Sequence, residues 1–500
     1  MVHAYKKKLL HSAIAAVTVL SCSVASAQVT LNPATQQKFV HALPIPSVIN
    51  ATGGGTYTME VTQFQQDLGL RDATGNPMMT TVWGYGQQGS PGSYPGPTFV
   101  ARKDVGINVY WLNKLYDPNT NQLYPHLLPV DKSIHWSYDE EEENEDWLQQ
   151  YGVPIVTHLH GGHTESASDG LPESWYSPFF TKTGSTFLKG DPGNPYVYDN
   201  NQQAATIWYH DHALGITRLN VYAGLAGFYV LTDNVEQNLQ NTNKLPKGPY
   251  DIGLAIQDKM FTTSGELHYP AMPEVPGAPN PSVLPEFFGD FILVNGKIWP
   301  VLDVEPRQYR FRMLNGSDSR FYNLFLSEPL KLWQIGSDLG FLPTPVAHDQ
   351  LLIAPGERKD VVIDFSNPAL WGKTIILRNN ARSPYPKGAT PNPLNEGQIM
   401  AFRVSVPLNN AYALTPVPAT LTAALPDPAQ AVKTRKLILF EGTDEYGRLQ
   451  PLLGTFDGAK HYMDAITEEP VVNTTEIWEI YNFTPDAHPI HLHLVSFRVL

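Results

Sequence analysis

Apolar and polar positions alternate along most of this chain, and three of the alternating stretches share one form. Asp104-Val-Gly-Ile-Asn-Val-Tyr-Trp-Leu-Asn113 closes on asparagine, and so do Gln308-Tyr-Arg-Phe-Arg-Met-Leu-Asn315 and Thr475-Glu-Ile-Trp-Glu-Ile-Tyr-Asn482. A period of two is the pattern of a half-buried β-strand. A second element recurs downstream: Thr206 to His212 with Gly224 to Val230, then Lys373 to Arg378 with Gly397 to Arg403. Repeats at this wide spacing predict duplicated β-domains rather than a solenoid. The third unit has no counterpart of the second element before Leu500. Measured against the first two, it is expected to lack about 70–110 residues, with soft boundaries.

The units are expected at 28–235, 250–406 and 435–500, joined by linkers from Asp233 to Tyr250, rich in Asn and Gln, and from Pro407 to Thr434, rich in Ala and Pro. Five hundred residues are too many for one core. With 42% hydrophobic residues and no membrane-length apolar run after the start, the composition is that of a soluble globular protein. A formal charge of −14 argues against nucleic acid or an anionic membrane surface as a partner. Residues 1–27 read as an export leader: basic Lys6 to Lys8, a short apolar stretch to Leu20, and the small-residue site Ala25-Ser26-Ala27. The apolar stretch is too short to remain as a membrane span. Val19-Leu-Ser-Cys22 offers a rival in which Cys22 carries a lipid anchor. Export to the periplasm or the exterior is expected either way. Cys22 is the only cysteine, so no disulfide is expected. The acidic run Asp139 to Asp146 reads as a solvated loop.

Three His-x-His pairs carry the candidate chemistry: His158-Leu-His160, His210-Asp-His212 and His491-Leu-His493, with His488 three residues before the last pair. In a strand, residues i and i+2 share a face. Each pair can therefore turn two imidazoles toward one pocket, while His488 faces elsewhere. This predicts a polynuclear metal site beside a second, separate one. Imidazole clusters without thiolate or carboxylate suit copper or zinc. His163, after Gly161-Gly162, reads as a loop residue, and His126, His135, His268, His348 and His461 stand alone.

The motifs His158-Leu-His-Gly-Gly162, Trp208-Tyr-His-Asp-His212 and His488-Pro-Ile-His-Leu-His493 resemble three of the four copper-binding motifs of multicopper oxidases, in the branch of bacterial spore-coat laccases and bilirubin oxidases. Tyr94 to Thr98, Thr217 to Gly224, Ile292 to Lys297 and Gln334 to Asp338 extend the resemblance over nearly the whole mature chain. It implies an all-β protein of three cupredoxin-like Greek-key β-sandwich domains, the third incomplete. Copper belongs to the first and third, and the middle one is a spacer that shapes a substrate cleft.

Carried over residue by residue, the resemblance makes His158 and His491 ligands of a type 2 copper. His160, His210, His212 and His493 become four of six ligands of a type 3 pair, and His488 a type 1 ligand. Asp169, in Ser168-Asp-Gly170, becomes an acid that delivers protons to oxygen. The complete enzyme would hold four copper ions, one type 1, one type 2 and two type 3. It would act as a monomer, oxidising phenols, aromatic amines or bilirubin-like compounds while reducing dioxygen to water. The family's fourth motif, His-Cys-His with a later His and an axial Met, has no match in these residues. A blue copper site needs that thiolate, so the 500-residue form is expected to be inactive. The non-enzymatic alternative is a cupredoxin-like copper-binding or scaffold protein; against it, all seven upstream histidines are present.

Overall fold

The computed structural model describes residues 30–138, 146–191, 193–423 and 428–500. The leader with Cys22 and most of the acidic run lie outside the described residues. Asp146, at the end of that run, caps a short helix α1 (Trp147–Tyr151) and pairs with Lys132 at 2.8 Å.

In the first unit the strands are β1 (Val48–Ala51), β2 (Gly55–Gln66), β3 (Thr80–Gln87), β4 (Gly96–Arg102), β5 (Ile107–Asn113), β6 (Thr157–His160), β7 (Tyr196–Tyr198), β8 (Ala205–Asp211) and β9 (Ala226–Thr232). They form two sheets, ordered β1-β4-β9-β8-β6 and β3-β2-β5-β7. Alternating residues of β5 are buried, as its period of two predicts. Between the sheets lie rings such as Tyr85, Phe99, Trp111 and Tyr209. Helix α2 (Thr217–Ala223) follows the second His-x-His.

Helix α3 (Asn234–Asn241) occupies the span read as a linker. The Asp233 carboxylate accepts the Glu236 N–H at 2.9 Å, as an N-cap does. Glu236 is then buried against Arg310 and Arg312 at 2.5 and 2.6 Å. An Asn/Gln-rich composition reads as linker, but capping and a buried ion pair make this one a docked helix.

The middle unit comprises β10 (Asp251–Phe261), β11 (Leu267–His268), β12 (Phe291–Val294), β13 (Lys297–Ile298), β14 (Val301–Val304), β15 (Gln308–Asn315), β16 (Tyr322–Leu326), β17 (Leu332–Ser337), β18 (Gly340–His348), β19 (Leu351–Ile353), β20 (Arg358–Asp364), β21 (Thr374–Asn379) and β22 (Gln398–Val404). One sheet runs β13-β12-β10-β15-β20-β17-β18, with β11 on β10; the other runs β14-β22-β21-β16-β19. The third unit has β23 (Lys433–Thr443), β24 (Leu449–Thr455), β25 (Gly458–Lys460) and β26 (Glu476–Asn482), in the single sheet β25-β24-β23-β26. Leu453, Phe456 and Phe497 of this unit are more than half exposed. Among the described residues no helix is long and apolar enough to cross a membrane.

The repeated asparagine has a mechanical role. In each unit its Oδ1 accepts the N–H two residues on: Asn113 from Leu115 (3.2 Å), Asn315 from Ser317 (3.0 Å) and Asn482 from Thr484 (2.9 Å). This Asx turn ends the strand and redirects the chain. In the third unit it launches the segment that carries His488, His491 and His493.

Candidate metal centre

Strands β6 and β8 pair antiparallel, with His158 opposite His210 and His160 opposite Trp208. His212 lies one residue beyond β8. The third pair belongs to no strand, so the i, i+2 argument applies in full only to the first. His491 and His493 reach the site from an irregular segment, where ring stacking and the bond from His493 to Asp169 hold them in place. His491 stacks on His160 at 3.8 Å between ring centroids, and His493 stacks on His158 at 4.1 Å. His212 lies 4.9 Å from His158, and His210 lies 5.5 Å from both His158 and His160. The six rings therefore meet at one place between the first and third units. His488 stands apart, its Nε2 2.7 Å from Thr484 Oγ1.

Two trios bring their ligand atoms within 4.8 Å of one another: His158, His160 and His491, and His158, His212 and His493. They share His158 and follow the ring stacks. They thus cut across the grouping into one pair and one quartet that the resemblance implies.

The turn Ser168-Asp169-Gly170 arranges three of the rings. The Asp169 backbone oxygen accepts from His158 Nδ1 at 2.6 Å, and its carboxylate Oδ2 accepts from His493 Nδ1 at 2.6 Å. Its Oδ1 accepts the Thr164 hydroxyl at 2.7 Å. The Gly170 carbonyl accepts from His212 Nδ1 at 2.8 Å. Gly170 has φ +71°, and a Cβ there would lie 2.2 Å from the Thr157 carbonyl oxygen, so only glycine fits. His210 Nδ1 donates to the Asp211 carbonyl at 2.7 Å. A backbone carbonyl only accepts, so these rings carry their proton on Nδ1; the Nε2 lone pair stays free on His158 and His212, while that of His210 faces His160 Nδ1 at 3.3 Å.

Burial dominates the electrostatics. It pushes His158, His160 and His210 well below the ordinary imidazole range and His212 to about 4. Neutral imidazole is the form that binds metal. His158 Nε2 is buried without a hydrogen-bond partner, an orphan that a cation would satisfy. The donor set thus fits a late first-row metal.

Sequence reasoning missed several neighbours of the cluster. Trp208 packs 4.2 Å from the ring of His210 and 5.1 Å from that of His160. Asp211 is fully buried, which pushes its carboxyl up to about 7, and it accepts from Asn220 at 2.8 Å. Asn220 in turn meets His126 at 3.0 Å, so that lone histidine is tied to the motif's support. His163 pairs with Asn201 outside the cluster. From the middle unit come Gly356, whose Cβ position lies 3.2 Å from His160 Cε1, and Arg358, whose Nη2 lies 2.7 Å from the Cβ position of Gly161. Nothing in the pattern of Pro355-Gly-Glu-Arg358 singles it out in sequence.

A multicopper oxidase family model matches residues 435–500. A laccase of Bacillus stratosphericus is 43% identical over 468 residues, covering 93% of this chain and 84% of that protein. A laccase of Bacillus subtilis is 43% identical over 477 residues, with the same coverage. Among solved structures, the McoA multicopper oxidase of Aquifex aeolicus matches with a TM-score of 0.67 at 25% identity, over 93% of this chain and 86% of that one. With a shared β-fold and 43% identity across nearly its whole length, the chain belongs to the multicopper oxidases, copper-dependent enzymes that oxidise a reductant at the expense of oxygen.

Proposed function

We propose that this chain is an exported laccase-type oxidase that couples one-electron oxidation of phenols, aromatic amines or bilirubin-like compounds to reduction of dioxygen to water. In this reading His158 and His491 hold a type 2 copper, while His160, His210, His212 and His493 belong to a type 3 pair. His488 is a ligand of a type 1 copper, making four ions in all. The domains are 28–235, 250–406 and 435–500, with copper in the first and third. When bound, copper supplies the one-electron steps and the reduction of oxygen.

The observation that carries the reading is the convergence of six imidazoles, five of them kept neutral by burial and four with Nδ1 taken by an oxygen acceptor. The rest of the chemistry falls to the protein. The Asp169 turn holds His158, His212 and His493 in orientation. The Asp169 carboxylate, between the Thr164 hydroxyl and His493 Nδ1, is placed to keep and pass a proton beside the cluster. All six rings come from one chain, which supports a monomer. The leader pattern supports export to the periplasm or the exterior, with a lipid on Cys22 as the variant form. Among the described residues no thiolate stands beside His488.

The test compares His158→Ala with His488→Ala by copper content and by oxygen uptake with a phenolic dye. His158→Ala should lose copper from the cluster. His488→Ala, tested in a chain that carries the type 1 thiolate, should keep that copper and lose dye oxidation. Full copper and oxygen uptake in His158→Ala would refute the reading.

A further inference from the structure

Two of the six imidazoles, His160 and His491, have no oxygen acceptor on either ring nitrogen among the described residues. His160 Nδ1 meets only His210 Nε2, at 3.3 Å. For the other four rings an oxygen partner sets the orientation, the usual arrangement for metal-bound histidine. Something else must hold the His160 side, and the middle unit supplies it.

Arg358 opens β20 and is 3% exposed. Its Nε donates to the Thr206 carbonyl on β8 at 3.1 Å, Nη1 to the Gly356 carbonyl at 2.9 Å, and Nη2 to the Asp338 carbonyl at 3.1 Å. Asp338 Oδ1 lies 3.0 Å from Nη1. One planar fork therefore joins the strand that carries His210 to the Gly356 turn, which abuts His160. Gly356 has φ +78°, and a Cβ there would lie 3.2 Å from His160 Cε1, so the turn sits close against the ring. Lysine, a point donor on a flexible stem, cannot span three carbonyls. Burial is the main reason His160 stays neutral, and the Arg358 charge acts in the same direction.

We propose that Arg358 is a positioning residue for the metal centre: by pinning the Gly356 turn against His160, it sets the side of the cluster that no oxygen acceptor orients. This rests on the assignment of the six histidines to copper. The middle unit is then part of the centre's support as well as a spacer.

The test uses Arg358→Lys and Arg358→Met, with Lys331→Met as a control at an exposed ion pair of the same unit. Three readouts are taken: thermal unfolding of the copper-free protein, copper retained against a chelator, and electron paramagnetic resonance of the loaded protein. Both Arg358 variants should lose copper affinity by about tenfold, the lower end for an outer-shell partner. They should also shift the paramagnetic signal of the copper that remains bound. Lys331→Met should match the parent. Rescue by lysine would mean that charge alone matters and would overturn the proposal, as would parent-like copper and spectra in both variants. If neither Arg358 variant folds, Gly356→Ala presses on the same ring without touching the guanidinium. A parent-like spectrum there would also overturn the proposal. A parent protein that loses no copper on His158→Ala would instead overturn the copper assignment, and this proposal with it.

Discussion

Arg448→Met is expected to loosen the third unit from the other two by about 3 kcal/mol. Arg448, in the turn between β23 and β24, donates from Nη1 to Asp131 Oδ2 at 2.6 Å and to Ser282 Oγ at 3.2 Å. Asp131, 1% exposed, belongs to the first unit, and its Oδ2 also accepts the Val283 N–H of the middle unit at 2.7 Å. Its Oδ1 accepts from Ser133 N and Oγ at 2.8 and 2.5 Å. One carboxylate thus joins all three units. Removing one partner of a buried ion pair costs about 3–5 kcal/mol, because the other charge stays buried and uncompensated. Asp131 would keep three neutral donors, which puts this case at the lower end. Asp131→Ala leaves Arg448 paired with Asp444, Nε to Oδ2 at 2.6 Å. It strands the Val283 and Ser133 N–H groups, however, and each such loss costs about 1–3 kcal/mol. In the double variant both charges go together, so its cost should fall short of the summed single costs by about 2 kcal/mol. Hydrogen exchange of peptides from 435–500 reads this locally, which suits a three-domain chain that need not unfold in one step. Additive single costs, or unchanged exchange in Arg448→Met, would refute the clasp.

What was legible in the sequence was local. The period of two and the closing asparagine located three equivalent strands, because alternation and the Asx turn are written into neighbouring residues. Their burial was not legible. β5 buries alternate positions, β15 is buried along its whole length, and β26 lies largely open. The polar face of β15 reads as solvent-exposed, yet Arg310 and Arg312 face Glu236, Asp251, Asp360 and Thr206. Those partners are dozens of residues away, and no periodicity announces them. The candidate site divides in the same way. The histidines and Asp169 stand in short motifs that sequence can display. Gly356 and Arg358 reach the cluster only because the middle unit packs against β6 and β8.

Two further outcomes follow from the local geometry. Gly170→Ala should abolish copper retention and destabilise the first unit, since its Cβ would lie 2.2 Å from the Thr157 carbonyl oxygen and displace the carbonyl that orients His212. Parent-like copper content and melting in that variant would show that the turn does not organise the site. Glu236→Gln should be less stable than the parent at pH 7, by about 3 kcal/mol for a broken buried pair. That gap should close in acid. Burial opposes ionisation of Glu236, but Arg310 and Arg312 outweigh it and hold the carboxyl below its usual range. A depressed folded-state pKa means that the unfolded chain binds the proton more readily. The stabilisation is therefore complete above the unfolded value of about 4.3, and it decays as pH falls through the folded value. Glutamine has no such proton to gain, so the difference between parent and variant must shrink below pH about 4. Hydrogen exchange across α3 from pH 7 to acid measures it. A gap that stays constant or widens toward low pH would mean that the two guanidinium groups do not set the charge state of Glu236.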